Sequence, residues 1–381
     1  MLVAGEPSGD QLAAELVMAL RAAAGGRPLR FLGAGGERMA AAGVDLALDL
    51  TRHSVIGIPS LAEIRRFQGF RKNLVDLAAS ETPAVVVGVD FFGFNGSLAT
   101  HVKQAARRGP FLNWNPRLVQ FVSPQVWASR PGRARRLEAT HDLLLSILPF
   151  EKEWYAQHAP GLRVEFVGHP LVDRHSAVPA APAAPGSAPT LLLLPGSRRG
   201  ELIRHVPVML EAARQVRTSV GARLLLVMPS ESLAEFVRPM LPADLPLEIQ
   251  VGGLSQALRS STAALACTGT VTLECAWFGV PTVTLYKTNA LTYAIGKRIV
   301  TVPYLSMPNL LANAPVMPEF IQDAATPEAL AGALGPYFAN SVARAQAIES
   351  LAQVRARLGP PGASHRAAEA ILGLLPPSGG L

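Results

Sequence analysis

The sequence contains very little cysteine, and this excludes two classes of protein. Its 381 residues include only Cys267 and Cys275. Two cysteines cannot build a framework of several disulfides or a four-cysteine zinc site, and they favour a reducing compartment. No His/Cys cluster has metal-ligand spacing, and no Asp-x-Asp pair lies in a suitable loop. We therefore predict no metal and no other cofactor.

Charged residues and uninterrupted apolar runs are also scarce. Asp, Glu, Lys and Arg make up 17% of the chain and apolar residues 49%, which predicts a large core and excludes global disorder. The longest apolar stretches, 83–99 and 261–286, are broken by Asp90 and Glu274, so they are interpreted as buried strands with flanking helices. Two acidic residues within the first ten interrupt any secretory signal. These features predict a cytoplasmic protein.

Positive charge is in excess, because 35 Lys and Arg outnumber 28 Asp and Glu and give a net charge of +7. This excess suits phosphorylated substrates, an acidic lipid surface or nucleic acid, and it does not choose among them. The densest basic run lies at 130–136, but it has no interleaved aromatic residues and belongs to no nucleic-acid-binding module. Nucleic acid is therefore not predicted as a partner.

Short apolar segments alternate with helical ones along most of the chain. Strands are predicted at 2–4, 29–32, 84–89, 118–122, 143–148, 164–167, 190–194, 223–228, 247–250, 263–266 and 281–285. Helices are predicted between them, for example at 10–24, 60–79, 95–107 and 150–157. This alternation is typical of parallel sheets covered on both faces. We predict an α/β fold with two Rossmann-like, doubly wound domains that face a central cleft.

Composition also predicts the domain boundaries. A Pro/Ala-rich linker at 177–190 separates an N-terminal domain, 1–176, from a C-terminal domain, 191–345. Residues 346–381 are interpreted as C-terminal helices that either cross back or are exchanged between two protomers.

The segment Pro-Gly-Ser-Arg-Arg-Gly-Glu at 195–201 follows four leucines and precedes a helical pattern. Such a loop directs backbone N–H groups outward at a helix N-terminus, where an anion is stabilised. Ser197 lies in this loop, and Arg198 or Arg199 adds donors for a phosphate. A plain charged turn is the alternative.

A second loop of this kind follows the strand predicted at 263–266. Gly269 lets a phosphate approach the backbone, and Thr268 is a candidate helix N-cap. Thr270 and Glu274 are spaced i,i+4 and share a helix face. A diphosphate at this helix start and a carboxylate one turn further suit a nucleotide, with Glu274 accepting from ribose hydroxyls. The alternative for Glu274 is a solvated helix position.

Several further blocks lie at predicted strand ends, and with them the chain resembles the lipid-A-disaccharide synthase family almost end to end. They comprise VAGEPSGD at 3–10, VGVDFFGFN at 87–95, FVSPQVWAS at 121–129, LPFEKEWY at 148–155, FVGHPLVD at 166–173, LPGSRRGE at 194–201, TGTVTLE at 268–274, PYLSMPNLL at 303–311 and VMPEFIQ at 316–322. In one block the chain departs from the family loop Asp-x-Pro-Asp-Phe-Asn, since Phe92 replaces the proline and Gly93 the second carboxylate, whereas Asp90 is retained.

The resemblance implies an inverting glycosyltransferase of the two-Rossmann-domain (GT-B) type in lipid A biosynthesis. It implies UDP-2,3-diacylglucosamine as donor and 2,3-diacylglucosamine 1-phosphate (lipid X) as acceptor, with UDP and a β-1′,6-linked disaccharide phosphate as products. The family places the donor on the C-terminal domain and the acceptor on the N-terminal one. Another GT-B enzyme of UDP-sugars, such as a transferase or a UDP-GlcNAc 2-epimerase acting on a non-acylated substrate, is the alternative.

Asp90 is the predicted general base, because it ends an apolar strand where desolvation raises carboxyl basicity. Its alternative is a cap for a helix beginning near Asn95. The family blocks also contain candidate donor contacts at Asn309, Glu319, Gln322 and His169.

Each of these four donor candidates has a structural alternative. Asn309 is otherwise a helix N-cap, Glu319 and Gln322 a solvated helix face, and His169 a hydrogen-bonded structural histidine. His53 and His205 are expected on the surface.

Three residues of the first block are assigned to the acceptor side. These are Glu6, Ser8 and Asp10, with Ser8 alternatively the N-cap of the helix at 10–24.

Both implied substrates carry acyl chains, so a membrane surface is expected as a partner. Residues 53–75 combine apolar and aromatic side chains with four basic ones, and 291–302 is a second candidate. A basic amphipathic segment lies in an anionic bilayer interface or, alternatively, packs on the core with a solvated basic face. We predict peripheral association with the inner membrane and leave a homodimer open.

Overall fold

The computed structural model describes residues 1–53, 60–108, 114–175 and 189–375. The chain divides into two compact units, Met1–Ser176 with Leu358–Leu381, and Ala177–Arg357. The linker predicted at 177–190 lies outside the described residues except for its last two.

The first unit contains a seven-stranded parallel sheet in the order β3-β2-β1-β4-β5-β6-β7. Its strands are β1 Leu2–Ala4, β2 Leu32–Gly35, β3 Asp45–Asp49, β4 Val85–Val89, β5 Arg117–Phe121, β6 Leu143–Ser146 and β7 Val164–Phe166. Its helices are α1 Pro7–Ala23, α2 Glu37–Ala41, α3 Leu61–Glu81, α4 Phe92–Arg108, α5 Val126–Ser129, α6 Ala134–Thr140, α7 Glu151–His158, α8 Pro170–His175 and the last helix of the chain, Ala363–Leu372.

The second unit contains a six-stranded parallel sheet in the order β10-β9-β8-β11-β12-β13. Its strands are β8 Thr190–Leu194, β9 Arg223–Met228, β10 Glu248–Val251, β11 Ala263–Cys267, β12 Thr282–Tyr286 and β13 Glu319–Ile321. Its helices are α9 Arg199–Val220, α10 Glu231–Val237, α11 Leu254–Arg259, α12 Val271–Trp277, α13 Ala290–Ile299, α14 Met307–Ala312, α15 Pro327–Ala339 and α16 Ser341–Ala356. The predicted α/β class with two doubly wound parallel sheets is confirmed.

Successive strand residues of the first sheet pack on opposite faces, as the period of two requires. Leu2 and Ala4 face α1, whereas Val3 faces α3 and α4. The last helix, which we number α17, buries Ala367 and Ile371 on the α1 face. The chain therefore returns from the second unit to complete the core of the first. Exchange of this segment between two protomers stays a prediction.

The strand predictions fail at two exposed edges and at one glycine-rich segment. The strand predicted at 29–32 is wrong, because β2 begins at Leu32 and continues through Gly33 and Gly35. The edge strands β3 and β13 were not predicted. Asp45 and Asp49 bound β3, whose side chains are half-buried or exposed, and β13 has only three residues, so neither forms an apolar run.

Candidate functional site

The carboxyl ends of the parallel strands define a candidate site in each unit. In the first sheet β1 lies beside β4, and in the second sheet β8 lies beside β11. The strand order reverses at these positions, and ligands of doubly wound sheets bind next to such a reversal. The loops that follow these strands are 5–6 and 90–91 in the first unit, and 195–198 and 268–270 in the second. All four contain residues selected from the sequence.

The loop after β8 is held by Glu201, a carboxylate that the sequence analysis did not select. Its Oε2 accepts a hydrogen bond of 3.2 Å from the backbone N–H of Ser197, and its Oε1 accepts one of 3.0 Å from Arg198. Gly196 has φ of +117°, and a side chain at this position would collide with Glu201. Ser197 and Arg198 are exposed. The ion pair therefore orients the Arg198 guanidinium beside the start of α9.

His205 ties this loop to the loop after β12, so the expectation that it lies on the surface is wrong. It is fully buried, and its Nδ1 lies 2.8 Å from the carbonyl oxygen of Pro195. Its Nε2 accepts a hydrogen bond of 2.9 Å from the backbone N–H of Lys287. These partners assign the proton to Nδ1, and burial lowers the pKa of this neutral imidazole. A single histidine ten residues after Pro195 carries no sequence signal for this role.

The loop after β11 presents the N-terminus of α12. Gly269 and Thr270 are exposed, and apart from the neighbours of Gly269 in the chain no described residue has an atom within 4 Å of the position where a side chain at 269 would begin. The expectation that Thr268 is the N-cap is wrong, because Thr270 occupies that position without a side-chain cap. Glu274 is half-buried within α12. A helix start with open space in front of it suits an anion.

The two loops of the second unit are neighbours. Residues of β8 and β11 pair side by side, with Leu194 opposite Ala266. Burial raises the pKa of the Cys267 thiol to about 12, and the nearby carboxylate of Glu201 adds to this increase while Arg198 opposes it. Cys267 is the last residue of β11. The charges of Glu201 and Arg198 are therefore felt at the end of β11, where the loop 268–270 begins.

Asn309 has a structural role. It is fully buried, its Nδ2 donates to the carbonyl oxygen of Met317 at 2.7 Å and to Glu319 at 2.8 Å, and its Oδ1 accepts from the Met317 N–H at 2.8 Å. The protein encloses this amide, and a contact of Asn309 with the donor stays a prediction. The N-cap alternative is wrong, because Ser306 is the N-cap residue of α14.

Glu319 and Gln322 hold neighbouring loops. Glu319 begins β13, so the alternative of a solvated helix face is wrong, and its carboxylate accepts from the N–H groups of Leu305 and Ser306 at 2.9 Å each. Gln322 has φ of +54° and pairs its side-chain amide with the backbone of Thr288 at 2.7 and 3.1 Å. Contact of either residue with the donor stays a prediction.

Asp90 follows β4 in a strained turn. Its φ is +50° and that of Phe91 is +43°, values that residues other than glycine seldom adopt. Burial raises the pKa of the Asp90 carboxyl, and a hydrogen bond from the Phe91 backbone opposes the increase. The helix expected near Asn95 begins at Phe92. Asp90 lies two residues before this helix start, and a role as a helix cap stays the alternative. Strained turns of this kind cluster at active sites.

The loop after β1 lies against this turn. The ring of Phe91 occupies the space where a side chain at Gly5 would begin, at 2.3 Å. Glu6 is half-buried and is the N-cap residue of α1, and Ser8 is exposed in the first turn. The expectation that Ser8 caps a helix at 10–24 is therefore wrong, because α1 begins at Pro7.

Asp10 stabilises a neighbouring helix. Its carboxylate is buried and accepts hydrogen bonds from the backbone N–H groups of Gly36, Arg38 and Met39 at 2.7 to 3.1 Å. These groups belong to the start of α2, whose own N-cap residue is a glycine. Asp10 therefore supplies the missing cap, and a role on the acceptor side stays a prediction.

The motifs at 121–129 and 148–155 meet in a buried polar network. Glu151 is 1% exposed and accepts hydrogen bonds from Trp127 Nε1 at 3.0 Å and from the Leu148 N–H at 3.1 Å. Ser123 lies 3.2 Å from the Tyr155 hydroxyl. Burial raises the pKa of Glu151 to about 7. Both motifs were recognisable in the sequence, but the burial of Glu151 was not, because a glutamate in a helical segment ordinarily faces solvent.

His169 is hydrogen-bonded within the first unit. Its backbone N–H donates to the carbonyl oxygen of Leu358 at 2.9 Å, and its ring Nδ1 accepts from the backbone N–H of Leu171 at 3.1 Å. Burial lowers its pKa to about 4, so the imidazole is neutral near pH 7. These contacts match its structural alternative, and a contact with the donor stays a prediction.

The amphipathic segment predicted at 53–75 divides into two parts on α3. Phe67 and Leu74 pack into the core. Leu61 and Ile64 are 75% and 39% exposed. The residues between 54 and 59, three of them apolar members of this segment, lie outside the described residues. The exposed first turns also carry two exposed basic residues, at 65 and 66.

In the described ranges no helix is both long and apolar enough to cross a membrane. No group of three or more His, Cys, Asp or Glu side chains in these ranges is placed to hold a metal ion.

Solved structures share this fold over nearly the whole chain. UDP-GlcNAc 2-epimerase from Neisseria meningitidis, bound to UDP-GlcNAc, matches with a TM-score of 0.55 at 11% identity, covering 96% of this chain and 97% of that one. MurG of Acinetobacter baumannii matches with a TM-score of 0.57 at 15% identity, covering 98% of each chain. At such identities the likeness shows the GT-B fold alone.

Sequence relatives identify the family. Lipid-A-disaccharide synthase of Myxococcus xanthus is 37% identical over 390 residues, covering 99% of this chain and 97% of the relative. That of Pseudomonas entomophila is 38% identical over 383 residues, covering 98% and 97%. The family model described as lipid-A-disaccharide synthetase matches residues 1–370. The chain therefore belongs to the lipid-A-disaccharide synthase family of glycosyltransferases.

Proposed function

We propose that this chain transfers the sugar of UDP-2,3-diacylglucosamine to lipid X, giving lipid A disaccharide 1-phosphate and UDP. Membership of the family supports the reaction. The observation that carries the assignment of residues is Asp90, a half-buried carboxyl with a raised pKa in a strained turn beside the strand reversal of the first sheet. A carboxylate in this setting is a stronger base than one in water.

The second unit binds the donor in this proposal. The diphosphate lies against the N–H groups at 269 and 270, Ser197 and the Arg198 guanidinium. Glu274, one turn into α12, accepts from the ribose hydroxyls. Support comes from the shared sheet edge of both loops and from Glu201, which orients Arg198. Fixed donors and cations at this position stabilise the negative charge of UDP as it departs.

The first unit supplies the base. Asp90 takes the proton of the acceptor hydroxyl, and the hydroxyl oxygen forms the new bond to the anomeric carbon of the donor. The bond from that carbon to the diphosphate oxygen breaks, and its electron pair leaves with UDP. Attack opposite the leaving group inverts the anomeric configuration.

Because both substrates carry acyl chains, we expect the transfer to take place at a membrane surface. We include in the proposal peripheral binding to the cytoplasmic face of the inner membrane through Leu61, Ile64, Arg65 and Arg66. All four side chains are exposed on the first turns of α3. Exposed apolar residues beside basic ones suit an anionic bilayer interface.

Incubation with UDP-2,3-diacylglucosamine and lipid X, followed by mass spectrometry of the lipids, tests the reaction. The proposal predicts a lipid disaccharide phosphate and an equal amount of UDP. Conversion of non-acylated UDP-GlcNAc, with no product from the acylated pair, would instead identify a different UDP-sugar enzyme.

A further inference from the structure

We infer that Gln120 and Asn95 are positioning residues that hold the predicted base, Asp90, through its backbone carbonyl. The inference rests on the proposed role of Asp90. Asn95 Nδ2 donates to the Asp90 carbonyl oxygen at 2.9 Å, and Gln120 Nε2 donates to the same oxygen at 3.0 Å. Asn95 lies in α4 and Gln120 in β5, so two different elements fix one peptide group.

The orientation of the Asn95 side chain follows from its surroundings. Besides the Asp90 oxygen, its Nδ2 faces the carbonyl oxygens of Val3 at 3.2 Å and Val89 at 3.5 Å. Every neighbour on this side is an acceptor, so a flipped amide would place oxygen against oxygen.

Gln120 is fixed in the same way. Its Nε2 faces the carbonyl oxygens of Phe121 at 3.3 Å and Val122 at 3.2 Å, in addition to that of Asp90. The NH₂ groups of both side chains therefore donate to the same carbonyl oxygen of Asp90, and both amide oxygens point away from it.

The two amide oxygens indicate that Asn95 and Gln120 have a role beyond filling space in the core. Asn95 is 2% exposed and Gln120 0%, and neither Asn95 Oδ1 nor Gln120 Oε1 has a hydrogen-bond partner among the described residues. A buried acceptor without a partner is unfavourable, and native proteins contain few. An apolar side chain at 120 would avoid this cost, so stability of the fold alone does not account for a glutamine there.

The preceding peptide group, on the other side of the Asp90 Cα, is also fixed. The N–H of Asp90 donates to the carbonyl oxygen of Phe121 at 2.8 Å. With the carbonyl held by two further donors, Asp90 and Phe91 both adopt positive φ values, +50° and +43°. The direction of the Asp90 carboxyl from its backbone is thereby set by β5 and α4, which do not themselves touch the acceptor in our proposal.

Gln120→Met tests the inference, because methionine keeps the volume and removes both the donor and the unpartnered oxygen. We expect kcat to fall about tenfold or more while KM for both substrates changes by less than roughly twofold. We expect an unchanged or higher thermal midpoint. The acid limb of the pH dependence of kcat/KM should also move down by about half a pH unit, as a released Asp90 carboxyl approaches water.

A matched control separates positioning from a loss of stability. Thr140→Val removes another buried polar group of the first unit, whose hydroxyl donates to the Arg136 carbonyl oxygen at 2.7 Å. This variant should have a lower thermal midpoint and an unmoved acid limb. If Gln120→Met gave the same pattern, Gln120 would have only a structural role and the inference would be overturned.

Asp90→Asn, assayed alongside, distinguishes failure of the inference from failure of the proposed base. If Asp90→Asn is inactive and Gln120→Met behaves as wild type, the inference is wrong and the base assignment stands. If Asp90→Asn retains turnover, the base assignment falls and the inference falls with it. Should Gln120→Met not fold, Asn95→Ala removes the other donor to the same carbonyl and allows the same comparison.

Discussion

The indole Nε1–H of Trp127 donates a hydrogen bond of 3.0 Å to Oε1 of Glu151 and joins α5 to the first turn of α7. Burial raises the pKa of Glu151 to about 7. In an unfolded chain a glutamate has a pKa of about 4.3. The folded protein therefore binds an extra proton between these values. The contribution of Glu151 to stability is complete below about pH 4.3 and is lost as the pH rises through about 7.

Glu151→Gln should remove this pH dependence. We expect the free energy of unfolding of the wild type, relative to this variant, to decrease as the pH rises from about 5 to about 7 and then to level off. Urea denaturation at four pH values measures the difference. Glu153→Gln, an exposed position of the same helix, is the control. A difference between wild type and Glu151→Gln that is constant with pH would contradict the prediction.

Arg198 and Arg199 are adjacent arginines with different surroundings, and they form a matched pair of variants. Arg198 is oriented by Glu201 at the loop, whereas Arg199 lies over the ring of Phe236 at 5.0 Å. We expect Arg198→Ala to weaken UDP binding by roughly tenfold or more, because a charge-assisted hydrogen bond to a phosphate is lost. Arg199→Ala should leave the Kd nearly unchanged. Calorimetric titration with UDP measures both, and equal losses would argue against the assignment.

The exposed turns of α3 should determine membrane binding. Leu61→Ser combined with Ile64→Ser removes two exposed apolar side chains, and we expect it to reduce co-sedimentation with anionic vesicles at low salt. Met18→Ser is the control, since Met18 is 58% exposed on another helix. Equal binding by wild type and the double variant would remove α3 from the membrane surface.

Activity should persist in excess EDTA. In the proposed site the Arg198 guanidinium, the N–H groups at 269 and 270 and the α12 dipole neutralise the departing diphosphate. Product formation with and without the chelator tests this prediction. If EDTA abolished activity and magnesium restored it, a divalent cation would help to neutralise the departing diphosphate.

The sequence predicts the parts of the fold that follow from the pattern of apolar residues. Apolar runs such as 190–194 and 263–266 locate the central strands, because parallel strands are buried on both faces. The loops that follow are then placed by topology, which brings 195–198 and 268–270 to one sheet edge. The family and enzyme class predicted from the motifs are confirmed by relatives at 36 to 38% identity.

The side-chain partners at the site depend on tertiary contacts that one sequence does not reveal. Asp10 stabilises a helix 26 residues further on, and His205 accepts a hydrogen bond from Lys287, 82 residues away. Asn309 is in a motif of the family, yet it is enclosed by the protein. Short edge strands such as β13 escape detection because three residues are too few to form an apolar run.

The most direct test of the account compares wild type with Asp90→Asn in the conversion of UDP-2,3-diacylglucosamine and lipid X to disaccharide. The account predicts that turnover of the variant falls by on the order of a hundredfold to ten-thousandfold, since a general base contributes about that much. Its thermal midpoint should stay close to that of the wild type. For the wild type, kcat/KM should decrease as the pH falls through the raised pKa of Asp90. Near-wild-type turnover by Asp90→Asn would contradict the central claim.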